Sequence, residues 1–338
     1  MSADSLWAEL TAFSDTYTCY SAAVASWAGL GLQDWSCVVN PGLTLTVLEA
    51  GDGLFGFAHF PPRLRAELGL VRVDFQGQAS EAMDGVLDEL ARSGRVIVAG
   101  DGFCLPWHVA HGKRHVPHWY VLSGTPDRIE VVDPFACRNE LGAQRSSRLP
   151  IAREQLAQSL PALPGDEPVF ELRERLALGD DCGARGPGAC QWFVHGEVTQ
   201  TRAPNGADGA DGVLVLAHAM RTRAQSPDAY LQADDIWSIA RHRAFLAQYV
   251  ATVAQRTADQ ALLAWSREQV EPLAKRWSHM APLLMQARLS LGVGRAVSGS
   301  VADTLEDLAD RERAAAQTCP SPEWGVRPVG AQRGGGSA

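Results

Sequence analysis

No apolar run in this 338-residue sequence approaches the roughly 20 residues a membrane-spanning helix needs, so no membrane partner is expected. The opening stretch MSADSLWAELTAF lacks the basic-then-apolar order of a secretory signal, which makes the cytoplasm the default location. Positive charge is also scarce. A formal net charge of -9 leaves no surplus of Lys and Arg for reading phosphates, so no nucleic-acid partner is expected. The seven cysteines include no C-x-x-C pair, which argues against a zinc ribbon or a redox motif and for reduced thiols, one of them a candidate nucleophile. No repeat of fixed period is present. The glycines of GDGLFG and GVGRAVSG do not join a strand to a helix in the dinucleotide-binding manner and read as turns.

Hydrophobic residues make up 46% and charged residues 20% of the chain, the balance of a globular protein able to bury a sizeable core. Residues 17–30, YTCYSAAVASWAGL, read as a helix whose first turn holds Cys19. Residues 43–50 and 54–60 alternate as strands joined by Gly51-Asp52-Gly53, a hairpin signal. A helix is expected over 61–68 and a short strand at LVRVDF. Ser80 is a candidate N-cap for a helix that closes at Gly94 and leads into the buried-strand run RVIVAGD. Pro106 and Gly112 break residues 103–116 into a surface loop. The strands HWYVLSG and RIEVVDP follow, separated by a turn at Thr125-Pro126-Asp127.

Beyond Leu149 the pattern becomes mainly helical. Helices are expected at about 191–201, 212–223, 233–254, 259–291 (interrupted near Pro272 and Pro282) and 300–316. The insert APNGADGADG reads as a flexible surface loop and the end as a disordered tail. The expected organisation is an α+β domain over residues 1–150, a mainly helical domain over 151–325, and a tail over 326–338.

A nucleophilic cysteine needs a lowered pKa, which a helix N-terminus beside a histidine supplies. Cys19 meets the first condition. The histidine needs a third group to fix its tautomer, and His118 and Asp133 stand at facing ends of adjacent strands. Taken singly, each residue has a plain structural reading: a small buried thiol, a histidine before an apolar strand, an Asp-Pro turn. Together, a Cys on an early helix followed by His and Asp on consecutive antiparallel strands is the chain order of papain-like cysteine enzymes.

The stretch from Val96 to Ala136 resembles the N-terminal domain of the butirosin-biosynthesis protein H family. The likeness is carried by Asp101, Leu105-Pro106-Trp107, His118, Val121-Leu122-Ser123-Gly124 and Val132-Asp133-Pro134. The helical region beyond is similar to the domain that accompanies it, though more weakly. The resemblance implies a papain-like acyltransferase that takes an acyl group from an acyl or peptidyl carrier protein thioester and passes it to a small-molecule amine. On that carry-over Cys19 is the nucleophile, His118 the general base and acid, and Asp133 the orienting group. The only cofactor-like element implied is the carrier's phosphopantetheine arm.

The approach to the nucleophile, DTYTCY, offers no Gln or Asn for an oxyanion hole, so the backbone N–H of Cys19 with a hydroxyl of Thr18, Tyr17 or Thr16 is the expected substitute. Asp101 is expected to hold the loop or to bind the amine, Trp107 to line the substrate pocket, and Trp119 to lie in the core or the pocket wall. Cys104 is the rival nucleophile, without a helix N-terminus. His108, His111, His115 and His118 lack a matching acidic pair, so no metal is expected, with a metal site on the loop as an alternative. Arg63, Arg65, Arg241 and Arg243 are candidates for a carrier-binding patch. Two further readings stand beside the transferase: a cysteine hydrolase with the same three residues and water as acceptor, and a non-catalytic scaffold that binds a carrier domain.

Overall fold

The computed structural model describes residues 2–32, 42–49, 55–58, 68–160, 189–197, 206–230 and 233–321. The protein is a mixed α+β chain with antiparallel sheets and a helical C-terminal region. No helix among the described residues is long and apolar enough to cross a membrane. The chain forms two compact units, residues 1–39 with 64–200, and residues 40–63 with 201–338. The expected boundary after residue 150 is therefore displaced, because strand pairing recruits segments from both sides of it.

The first unit begins with helices α1 (Ala3–Thr11) and α2 (Cys19–Gly29). Its strands are β3 (Leu70–Phe75), β4 (Arg95–Asp101), β5 (Pro117–Thr125), β6 (Arg128–Asp133), β9 (Ser147–Pro150) and β10 (Cys190–His195). They form one antiparallel sheet in the order β3-β10-β4-β5-β6-β9. A small hairpin, β7 (Cys137–Asn139) and β8 (Gly142–Gln144), lies between β6 and β9 in sequence. Helices α3 (Ala79–Ser93) and α4 (Arg153–Ser159) complete the unit among the described residues.

Successive side chains of a strand point to opposite faces, and β5 displays this directly. The Tyr120 hydroxyl meets Ser159 Oγ of α4 at 3.1 Å, whereas the Trp119 ring stands edge-on to Tyr20 of α2 at 5.7 Å. The sheet is covered on both faces, by α2 on one and by α3 and α4 on the other. That double burial explains the near-continuous apolar runs of β4 and β5. On the α3 side, Ala82, Val86 and Leu90 pack with Val96, Val98, Leu122 and Val131. Tyr20 to Ala28 of α2 are all buried, with the sheet on one side of the helix and α1 packed against it.

Residues 191–201 were expected to be helical, but Cys190–His195 is a central strand paired to β3 and β4. Trp192 packs into the α3-side core and Phe193 against Tyr20, so both faces of the run are buried and no period of two survives in the sequence. Gly124 closes the β5–β6 turn at φ +112°, where an added Cβ would stand 2.2 Å from the Arg128 carbonyl oxygen. Gly94 ends α3 in the left-handed conformation, as its sequence position predicts.

The second unit contains the expected hairpin, β1 (Thr46–Glu49) and β2 (Phe55–Ala58), with β11 (Ala207–Asp208) paired to β1. Its helices are α5 (Gly209–Thr222), α6 (Ala233–Thr257), α7 (Gln260–Trp265), α8 (Glu271–Ser278), α9 (Met280–Gly292) and α10 (Ser300–Gln317), with 3-10 turns at Ser14–Thr16 in the first unit and Pro227–Tyr230 here, and one π turn at Ser266–Val270. The described part of the expected surface loop at APNGADGADG is β11 and the first turn of α5 instead. The expected helix at 61–68 falls, apart from Leu68, outside the described residues, as does the tail at 326–338.

Candidate functional site

Cys19 opens α2, and the start of that helix is tightly capped. Thr18 Oγ1 accepts from the Ser21 backbone N–H at 3.1 Å, and Ser21 Oγ accepts from the Thr18 N–H at 2.8 Å. The reciprocal pair holds the first turn in place and sets Cys19 at the positive end of the helix dipole.

Strand register brings His118 and Asp133 together. Val121 pairs with Val132, so Asp133 lies opposite Tyr120, and His118 lies two residues further along β5 on the same face. His118 Nε2 and Asp133 Oδ2 are 2.7 Å apart, and both side chains are sealed from solvent. Asp133 accepts two further bonds, from the Trp107 indole N–H at 3.1 Å and from the Phe135 backbone N–H at 3.2 Å. Three donors on one carboxylate fix its orientation.

The other neighbour of His118 is the thiol of Cys19, which hydrogen-bonds to it. With Nε2 occupied by Asp133, Nδ1 is the ring nitrogen left to exchange a proton with the thiol. Burial pulls the His118 imidazole down; the Asp133 charge and hydrogen bond, with those of Cys19, outweigh it and leave the group pushed up to about 10. At neutral pH the ring is thus an imidazolium between a carboxylate and a sulfur. Its walls are the rings of His108 at 4.4 Å, Phe135 at 5.8 Å and Tyr120 at 6.2 Å.

Asp101 holds the loop. Its Oδ1 accepts from the N–H groups of Phe103 (2.9 Å) and Val116 (3.3 Å), while Oδ2 pairs with His115, whose ring stacks on Phe103. Trp107, besides donating to Asp133, stands edge-on to Tyr120 at 5.2 Å. The loop 103–116 reaches the surface as expected, at Pro106 and at His111 to Arg114, but it is anchored from within, since Leu105 and Ala110 are fully buried and His108 nearly so. Gln144 of β8 pins it by accepting from the Val109 N–H at 2.7 Å.

Three expectations are corrected by geometry. The Thr16 hydroxyl donates to the Phe13 carbonyl at 2.7 Å and the Thr18 hydroxyl to Ser21 Oγ at 3.0 Å, so neither proton is available to an oxyanion. Tyr17 is fully buried beside Phe13, with burial raising its phenol, so its side chain packs in the core instead of standing exposed at the helix start. Arg243 is fully buried in the second unit, where it pairs with Glu312 at 2.8 Å and 3.1 Å and donates to the Leu43 carbonyl, so it belongs to no docking patch. Arg241 lies over the Trp237 ring, and Arg63 and Arg65 fall outside the described residues.

Cys104 is a weaker nucleophile than the alternative reading required, because burial and the nearby Asp101 charge push its thiol up. The loop histidines are engaged by different partners: His118 by Asp133, His115 by Asp101, and His108 Nδ1 accepts from the Ala110 N–H at 3.2 Å. Among the described residues, no group of three His, Cys, Asp or Glu could hold a metal ion. Sequence reasoning missed Phe135 and Gln144, and considered His108 only as part of the alternative metal site. Phe135 carried a readable signal, since Asp-Pro-Phe closes an Asx turn. Gln144 carried none, because loop packing brings it in. No protein-family model matches this chain, and no curated protein matches it.

Proposed function

We propose that this chain is a papain-like, cysteine-dependent acyltransferase of the cytoplasm, similar to the butirosin-biosynthesis protein H family, which moves an acyl group from a carrier-protein thioester to an amine. The observation that carries the reading is the line Cys19–His118–Asp133: a thiol at a helix N-terminus hydrogen-bonded to a sealed imidazole whose other nitrogen meets a buried carboxylate. Helix dipole and imidazolium both favour the thiolate, which is the nucleophilic form.

The Cys19 thiolate attacks the thioester carbonyl and forms a tetrahedral oxyanion. The first N–H groups of a helix point out of its N-terminus, so the Cys19 backbone N–H is the donor assigned to the developing charge in this reading. Collapse breaks the bond to the phosphopantetheine sulfur, which departs with the proton of His118. The product is S-acyl-Cys19 and a neutral imidazole. An amine then attacks the acyl carbon, His118 takes one amine proton, and the Cys19 thiolate leaves. The sum is an amide and the free carrier thiol.

The test is intact-protein mass spectrometry after incubation with acylated carrier proteins. The expected result is a mass increase equal to the acyl group, absent in Cys19→Ala and discharged by an amine with formation of the amide. Release of free acid alone, with amines present, assigns a hydrolase instead. No loading from any carrier thioester overturns the reading.

A further inference from the structure

Helix α9 is apolar on two opposite sides. Met280, Leu284 and Ala287 face the interior of the second unit and are buried. Met285, Leu289 and Val293 recur at i, i+4 and i+8 on the other side and are 60%, 71% and 71% exposed. A helix with one apolar stripe needs a single partner; this one presents a second stripe that nothing among the described residues covers. Contiguous apolar side chains rimmed by polar groups mark interaction surfaces.

The charge around this stripe departs from that of the rest of the chain. From Pro272 to Ala302 the sequence has no carboxylate, yet it carries Lys275, Arg276, Arg288 and Arg295 in a protein of net charge -9. Arg276 pairs with Asp307 at 2.7 Å. On the neighbouring α10, Asp303 and Glu306 pair with Arg221, also at 2.7 Å. Arg288 and Arg295 form no ion pair among the described residues. Arg288 lies beside the stripe on α9, and Arg295 is held at its end, where the Arg295 N–H donates to the Ser290 carbonyl at 2.9 Å.

We propose that this face of α9 is the docking surface for an acidic protein presenting an amphipathic helix, with apolar side chains against Met285, Leu289 and Val293 and carboxylates against Arg288 and Arg295. The assignment rests on the acyl-transfer reading above, in which that protein is the carrier that delivers the acyl group. Helix-to-helix docking uses this i, i+4 spacing of anchors, and opposite charges at the rim set register and association rate. An anionic bilayer is the poorer match, because its recognition takes roughly four to eight clustered basic residues, and the net charge is repelled by it.

The experiment compares two donors of one acyl group, a carrier-protein thioester and an N-acetylcysteamine thioester, in loading Cys19 of the full chain and of Arg288→Glu/Arg295→Glu and Leu289→Glu variants. Loading from the carrier is expected to fall by about tenfold or more in both variants, with loading from the small thioester unchanged. Unchanged carrier loading overturns the surface while leaving the acyl-transfer reading intact, and so does equal loss with both donors. Failure of both donors to load the unmodified chain overturns the reading and the surface together. A dimer abolished by Leu289→Glu, or binding to phosphatidylglycerol vesicles abolished by the double charge reversal, assigns the face to another partner and also overturns the proposal.

Discussion

His118 Nε2 lies 2.7 Å from Asp133 Oδ2 with both side chains excluded from water, and this pairing governs the protonation of the whole cluster. Burial alone would drive the imidazole neutral; the carboxylate and the sulfur reverse that and hold the proton on the ring, with the group pushed up to about 10.

A pH dependence follows from the sign of that shift. The folded-state value lies above the ordinary histidine value near 6.5, so the contribution to stability is full below about pH 6.5 and is lost as pH rises through about 10. Asp133→Asn removes the charge that raises the group. Thermal unfolding should therefore show the unmodified chain's advantage over Asp133→Asn largest near pH 6 and shrinking toward pH 10. An advantage that grows with pH contradicts this electrostatic account.

The thiols should differ in reactivity. Cys19 is paired with an imidazolium at a helix start, whereas burial and Asp101 push the Cys104 thiol up. Limited alkylation with iodoacetamide at pH 6.5, read by peptide mapping, should label Cys19 first among the described thiols Cys19, Cys104, Cys137, Cys190 and Cys319. His118→Ala should slow that labelling by about tenfold or more, because the thiolate loses its cation. Cys104 labelling ahead of Cys19 would reverse the assignment of nucleophile.

The second unit depends on a buried ion pair. Arg243 and Glu312 meet through two hydrogen bonds, and the Trp277 indole N–H also donates to Glu312 at 2.8 Å. Removing one partner strands a charge in an apolar core, so Arg243→Met should cost about 3–5 kcal/mol in denaturant unfolding. Arg243→Met combined with Glu312→Leu should recover a large part of that loss. Equal losses in the single and double variants would show that packing, and not charge pairing, sets the cost.

Much of the site was readable residue by residue. Small residues after Thr18 marked the helix that carries Cys19, and the two apolar runs, His118 to Gly124 and Arg128 to Asp133, around a Pro-Asp turn marked the hairpin that aligns His118 with Asp133. Local signals sufficed there because caps, turns and strand periodicity act over a few residues. The role of Asp101 stayed open in the sequence between two duties, and the positions of its loop partners Phe103, His115 and Val116 decide for the loop. Arg243 read as a surface cation because the sequence does not show Glu312, distant along the chain, arriving beside it.

Residue order alone determined the α+β class, the hairpins and most helices of the second unit, since those elements follow from short-range periodicity and turn chemistry. Tertiary structure alone decided that Cys190–His195 is a strand, that the β1–β2 hairpin belongs with the C-terminal helices, and which polar residues are sealed from water. The physical reason is common to all three. A short apolar run satisfies either a helix or a doubly buried strand, and a polar side chain either an exposed or a paired position, until distant segments supply the covering face or the opposite charge.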